Sequence, residues 1–165
     1  MVYRLARIAA LAVGEGKSEV LLLNHVKQLY LPRKCGITLK VVDGLGKGGS
    51  AVLTRTIRVS AGLDFNRKIA LLDTDTDWDA TQRERAREGE IEVVESTPCL
   101  EAWLLAIHGV NPVLSSQGFK EEFARRFGAR ADDPKAYERH FARERLDGAR
   151  ATVPPLDQLL NILEV

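Results

Sequence analysis

The feature that most constrains the fold is a fourfold alternation of short apolar runs with helical patterns over the first two thirds of the chain. Runs this short, bounded by glycine or charged residues, predict buried β-strands, and apolar residues at helical spacing predict helices between them. The predicted strands are residues 6–13, 36–43, 67–73 and 90–96. The predicted helices begin near residues 17, 50, 81 and 97. Such repetition predicts a three-layer α/β fold around a mainly parallel four-stranded sheet.

Capping residues set the predicted start of two of these helices. Ser50 is a predicted N-cap for a helix that runs to about Ala61, because its hydroxyl can accept a backbone N–H. Thr97 is the predicted N-cap of the fourth helix, with Pro98 at the first helical position and Gly109 at the end.

The last third of the chain contains helical patterns with no strand between them. These three predicted helices are residues 118–128, 134–146 and 154–165. A chain of 165 residues is typical of one domain. We therefore expect an α/β core over residues 1–110 and a helical C-terminal extension over residues 111–165, packed together as one structural domain.

Composition leaves the partner open but favours a cytoplasmic protein. The chain has 24 basic and 23 acidic residues, so its net charge of +1 neither requires nor excludes nucleic acid. No stretch approaches the roughly 18 apolar residues of a membrane span, and the N-terminal apolar run does not lead into a signal-peptide cleavage site. Cys35 and Cys99 have no metal-type spacing and are expected to be reduced, buried thiols.

Acidic residues follow all four predicted strands. They are Glu15 and Glu19, Asp43, Asp73, Asp75, Asp77 and Asp79, and Glu95 and Glu101. In an open parallel sheet the carboxyl ends of the strands share one edge, where ligands collect. Crowded carboxylates need neutralisation, and oxygen ligands suit Mg²⁺ or Mn²⁺.

The stretch "AVGEGKSE" superficially matches a phosphate-binding P-loop. The P-loop pattern requires a glycine five residues before Gly16, and that position is Leu11, inside the predicted strand. A tight strand-to-helix turn is the better interpretation. It places Glu15 at the strand end and Glu19 one helical turn later on the same side.

The run "DTDTDWD" supplies the largest group of acids. If the third strand extends through Asp73 and Asp75, both side chains face the same side of the sheet. Asp77 and Asp79 then belong to the turn or to the start of the next helix. The alternative for the whole run is a solvated loop or a cluster of helix-capping residues.

Four motifs in this order resemble the Toprim fold and, more closely, the RloB-like family. They are "EGKSE", "GKGGS", "LLDTDTD" and "STPCLEAWLLAIHG". The last departs from the family pattern at Leu100, where an aromatic residue is usual. The resemblance covers residues 8 to about 110. It implies a three-layer Toprim/Rossmann-like fold related to the overcoming-lysogenization-defect nucleases.

The resemblance also implies roles for individual residues. Glu15 is implied as a general acid/base or metal ligand, and Asp73 and Asp75 as catalytic Mg²⁺ ligands. Glu19 matches a second glutamate ligand of the lysogenization-defect branch. Glu101 matches a glutamate that serves either a second metal or a structural purpose.

Other residues have two interpretations each. Lys17 is either a phosphate contact or a solvated lysine, and the "GLGKGGS" segment is either an anion-binding nest with Lys47 or a flexible turn. Trp103 is expected to be a core residue. His108 is expected to be a hydrogen-bonded residue at the end of a helix. Trp78 either stacks on a nucleic-acid base or packs against the helical C-terminal extension.

These features predict a Mg²⁺- or Mn²⁺-dependent nuclease or phosphoryl-transfer enzyme acting on DNA or RNA. The resemblance implies bacterial or archaeal phage defence, often beside restriction systems, with an ATPase partner protein or a homo-oligomer. Two alternatives stay open. One is a non-catalytic Toprim-like module that binds nucleic acid or a protein, and the other is a phosphatase or sensor of a small ligand.

Overall fold

The computed structural model describes residues 7–164 and has the predicted α/β architecture. The strands are β1 (Ile8–Gly14), β2 (Ile37–Asp43), β3 (Arg67–Asp73) and β4 (Glu92–Ser96). The helices of the first part are α1 (Lys17–Tyr30), α2 (Gly49–Ser60), α3 (Ala80–Glu88) and α4 (Leu100–Ile107). The helices of the extension are α5 (Ser116–Phe127), α6 (Pro134–His140), α7 (Arg143–Ala149) and α8 (Pro154–Leu163).

The four strands form one parallel sheet in the order β2-β1-β3-β4. β1 and β3 lie side by side in the middle of the sheet. From β1 the chain continues to β2 at one edge, and from β3 it continues to β4 at the other edge. This arrangement creates a crevice at the carboxyl ends of β1 and β3, the usual ligand position in an open α/β sheet.

Helices cover both faces of the sheet, which confirms the three-layer prediction. Alternate residues of β1 supply two separate cores: Ala10 and Ala12 pack with α1 and α4–α8, whereas Leu11 and Val13 pack with α2 and α3. Because β1 and β3 are buried on both faces, their sequences are continuous apolar runs rather than alternating patterns.

The extension packs on the same face as α1 and α4. Helix α5 contacts α4, α6 contacts α1, and α8 lies along the edge strand β4, where the Gln158 amide donates to the Val93 carbonyl at 2.8 Å. The second predicted helix of the extension, residues 134–146, is two helices, α6 and α7. They separate at Phe141, whose backbone leaves the helix and whose side chain is fully buried.

Two predicted helix starts are wrong. The fourth helix begins at Leu100 with Cys99 as N-cap, and Thr97 and Pro98 precede it, joined by a cis peptide bond. Helix α2 begins at Gly49, so Ser50 lies inside the first turn and caps nothing.

The two cysteines lie in different environments. Cys99 is buried as expected, whereas Cys35 is exposed in the turn after α1, so the prediction of a buried Cys35 is wrong. Within residues 7–164, no helix is both long and apolar enough to cross a membrane.

Candidate functional site

Glu15 joins the ends of the two central strands. Its backbone N–H donates to the Leu71 carbonyl of β3 at 3.0 Å, which keeps the chain strand-like one residue beyond β1. Its carboxylate accepts the backbone N–H of Asp73 at 2.8 Å. The side chain is therefore held in the crevice between β1 and β3.

The turn after β1 brings Glu19 to the same place. A Cβ on Gly14 would lie only 2.8 Å from the Cβ of Glu19, so only glycine allows α1 to start this close to the strand. The Glu19 carboxylate accepts the Gly16 backbone N–H at 3.0 Å with its Oε2. This bond is one half of a capping box, so Glu19 also stabilises the start of α1.

Asp73 and Glu101 complete a cluster of four carboxylates. Asp73 is the last residue of β3, and its Oδ1 is buried without a hydrogen-bond partner among residues 7–164. Glu101 lies in the first turn of α4 and lines the same cavity as Asp73, Glu15 and Glu19. The three glutamates are only 9%, 6% and 7% exposed, in the order Glu15, Glu19 and Glu101.

Burial of these carboxyls opposes their ionisation. It raises the pKa of Asp73 to about 9, assisted by the charges of Glu19, Glu15 and Glu101. It also raises the pKa of Glu19 to about 7. The pKa of Glu15 is raised by burial as well, although the Asp73 N–H lowers it in part. The cluster therefore holds protons near neutral pH unless a cation replaces them.

The carboxylates line a cavity of about 560 Å³ that the extension helps to enclose. Its far wall consists of Gln117, Lys120, Glu121 and Ala124 of α5 and of residues 130–132. Six carboxylates and three basic groups line it, so the cavity repels a phosphate until some of that negative charge is neutralised.

Asp75 lies apart from this cluster. Strand β3 ends at Asp73, so the strand geometry that would place both aspartates on one side does not extend to Asp75. Asp75 is exposed, accepts a hydrogen bond from the Ser116 hydroxyl at the start of α5, and is not among the residues that line the cavity. Its charge still contributes to the raised pKa values of Asp73 and Glu15.

The remaining acids at the strand ends stabilise local structure. Asp77 accepts the Ser50 N–H of α2 at 3.2 Å, and Asp79 is the N-cap of α3. Asp43 accepts the Leu45 N–H at 2.7 Å. Glu95 accepts the indole N–H of Trp78 and pairs with Arg83, at 2.7 Å each. For Asp77 and Asp79, the helix-capping interpretation of the acidic run is therefore correct.

The aromatic and histidine predictions are settled by packing. Trp78 is buried against α2 and α3, so it is a packed residue, but the expected packing against the extension is wrong. Trp103 is a core residue, and its indole donates to the Ser96 hydroxyl at 2.7 Å. His108 caps the end of α4, where its Nε2 lies 2.8 Å from the His140 carbonyl oxygen.

Basic residues near the site come partly from unexpected places. Lys17 lines the cavity, whereas Lys47 is exposed and lies outside the lining. Lys120 and Arg130 also line it, and the charge of Lys120 lowers the pKa of Glu15. Arg130 belongs to the basic run "ARRFGAR", whereas the sequence does not single out Lys120, because nothing local shows that α5 folds back over the crevice.

The donor set fits a hard divalent cation, although it is not preassembled around one point. The unpaired Oδ1 of Asp73 and the three flanking carboxylates are ligands of the kind that Mg²⁺ and Mn²⁺ prefer. Across residues 7–164, no three acidic, histidine or cysteine side chains are arranged as a ready metal-ligand shell. Binding of a cation therefore requires side-chain rotation, and Glu15 is held in place by the Asp73 N–H.

Comparisons of the chain with protein-family models, with curated proteins and with solved structures found no match.

Proposed function

We propose that the chain is a divalent-cation-dependent enzyme that cleaves or transfers a phosphodiester of nucleic acid. The observation that carries this proposal is the convergence of Glu15, Glu19, Asp73 and Glu101 on one cavity, with the Asp73 Oδ1 unpaired. Carboxylates buried together with raised pKa values are costly unless they bind a cation or move a proton.

Residues of the chain take distinct roles in this proposal. Asp73 at the end of β3 and Glu15 directly after β1 would hold the cation, and Glu19 and Glu101 would support it from the first turns of α1 and α4. When bound there, Mg²⁺ or Mn²⁺ would supply the positive charge that polarises a phosphoryl group and activates water as a nucleophile. Lys17 and Lys120 attract and orient the phosphate, and Asp75 and Ser116 fix the start of α5 beside it.

The resemblance to Toprim and RloB-like proteins supports the same proposal, because that family pattern contains Glu15, Asp73 and Asp75. It also suggests the biological setting, which is phage defence in a bacterium or archaeon, in the cytoplasm, with an ATPase as partner. This chain would then supply the phosphodiester chemistry and the partner the energy coupling.

The test is a cleavage assay on single- and double-stranded DNA and RNA with Mg²⁺ or Mn²⁺. We expect metal-dependent cleavage by the wild type and a loss of about 10²-fold or more in Asp73→Asn and Glu15→Gln, since each removes an ionic ligand. Asp77→Asn is the matched control, because Asp77 lies in the same acidic run but binds α2. Equal cleavage by all four proteins would contradict the site.

A second candidate is a metal-dependent phosphatase of a small ligand. The cavity size favours it, because about 560 Å³ lies within the range of small-molecule pockets. Hydrolysis of mononucleotides without any cleavage of oligonucleotides would select this candidate over the nuclease.

A further inference from the structure

We propose that Leu45 is the residue that contacts the nucleobase beside the phosphate in the carboxylate cavity. This inference rests on the proposed function and deepens it. It begins from an unusual combination at the tip of the loop between β2 and α2. Leu45 is a large apolar residue, it is 63% exposed, and its backbone is left-handed, with φ of 70°.

Neither property helps the folded chain. A left-handed backbone is disfavoured for a residue with a branched apolar side chain, and such turns usually take glycine, asparagine or aspartate. An exposed leucine gains little from burial in return. The Leu45 side chain is therefore best explained by something that it contacts outside the folded monomer.

The loop is fixed directly onto the turn that carries Glu15. The Gly44 N–H donates to the Gly14 carbonyl at 2.7 Å, and the Gly46 N–H donates to the Glu15 carbonyl at 2.6 Å. The Asp43 carboxylate holds the Leu45 N–H between these two bonds. These three hydrogen bonds fix the backbone around Leu45, which adjoins Gly46 in the cavity lining.

The cavity itself offers nothing for a base to pack against. Its described lining is charged or polar except for Gly16, Gly46, Ala124 and Ala131. A nucleotide whose phosphate lies at the carboxylates gains binding energy if its base stacks on an apolar surface beside the cavity. Leu45 is exposed and adjoins the lining residue Gly46, so it offers such a surface, and its contact with the face of a base would not depend on the base's identity.

The experiment compares Leu45→Gly and Leu45→Asn with the wild type on the short single-stranded DNA or RNA oligonucleotide that the wild type cleaves. We expect KM to rise roughly tenfold in both variants with little change in kcat, because a binding contact is lost. Leu45→Gly should at the same time raise the melting temperature, because glycine tolerates the left-handed backbone. Higher stability together with weaker binding separates a substrate contact from a structural role.

Lys34→Gly is the matched control. Lys34 has the same φ of 70° and is exposed, but it lies in the turn before β2, at the opposite end of the sheet. Its substitution should raise the melting temperature and leave KM unchanged.

A substrate with an abasic nucleotide on either side of the cleaved bond completes the test. For one of these substrates, the KM of the wild type should rise by the same factor as the KM of Leu45→Gly rises on the intact substrate. The KM of Leu45→Gly should rise little further on that abasic substrate, because the contact is already lost. If the enzyme cleaves and KM is unchanged in both Leu45 variants, the proposed function stands and the inference about Leu45 is overturned. A change in oligomeric state caused by Leu45→Gly would also overturn it, in favour of self-association. A wild type that neither cleaves nor binds oligonucleotides would overturn the proposed function as well.

Discussion

Asp73 shows at the residue scale why the site calls for a cation. Its carboxyl lies at the end of a buried strand, one oxygen has no partner within residues 7–164, and three glutamates surround it. An aspartate that only stabilised the fold would receive hydrogen bonds at both oxygens, as Asp77 does from Ser50. The unpaired oxygen of Asp73 is costly in the metal-free protein, which supports the proposal that it binds a cation.

Replacement of this one residue should stabilise the metal-free protein. We expect Asp73→Asn to raise the free energy of unfolding by about 1 kcal/mol or more at pH 8.5, because the folded protein must keep the Asp73 carboxyl protonated at a pH where the unfolded chain releases that proton. Urea unfolding in EDTA measures this. A large loss of stability would indicate instead that the Asp73 carboxylate holds the fold together.

Asp77 is predicted to behave in the opposite way. Its carboxylate binds the Ser50 N–H in the first turn of α2, so Asp77→Ala should lower stability by about 1 kcal/mol, the usual effect of losing a helix cap. Metal affinity should not change. Thermal unfolding with and without Mn²⁺ checks both expectations, and a lost Mn²⁺ response would make Asp77 a ligand.

At the scale of secondary-structure elements, helix α5 turns an exposed sheet edge into a cavity. Its Lys120 lies close enough to Glu15 to lower the pKa of that carboxyl. We expect Lys120→Met to raise the Glu15 pKa, to shift the acidic limb of the pH–rate profile upward and to raise KM. A matched substitution on the same helix, Arg125→Met, removes a charge that pairs with Glu122 and should have none of these three effects.

The elements differ in how far the sequence predicts them. The β-strands and the strand-end position of the acids follow from local patterns, because buried parallel strands are short apolar runs. Local patterns do not predict which of these acids come together in the cavity. That depends on β3 ending at Asp73, so that Asp75 bonds Ser116 and Asp77 bonds Ser50. The wall formed by α5 depends on packing within the extension, which no local pattern encodes.

At the scale of the whole molecule, the cluster couples stability to pH. The Asp73 and Glu19 carboxyls, with pKa values raised to about 9 and about 7, keep protons that the unfolded chain releases near pH 4. Their contribution to stability is complete below about pH 4 and is lost as the pH rises through 7 and 9. We therefore expect the melting temperature of the metal-free protein to fall from about pH 5.5 to 9.

Divalent cations should offset this fall. Mg²⁺ or Mn²⁺ binds the ionised cluster, so it should raise the melting temperature strongly at pH 8.5 and little at pH 5.5. Asp73→Asn should flatten both the pH dependence and the metal response. A wild-type melting temperature that is insensitive to pH and to metal would contradict the assignment of the cluster.

The most direct test of the central claim, a divalent-cation site formed by Glu15, Glu19, Asp73 and Glu101, is Mn²⁺ binding measured by electron paramagnetic resonance at pH 8. The wild type and Asp77→Asn should remove free Mn²⁺ from solution with equal affinity. Asp73→Asn and Glu15→Gln should each bind about 10- to 100-fold more weakly. Equal binding by all four proteins, or binding by none, would contradict the claim.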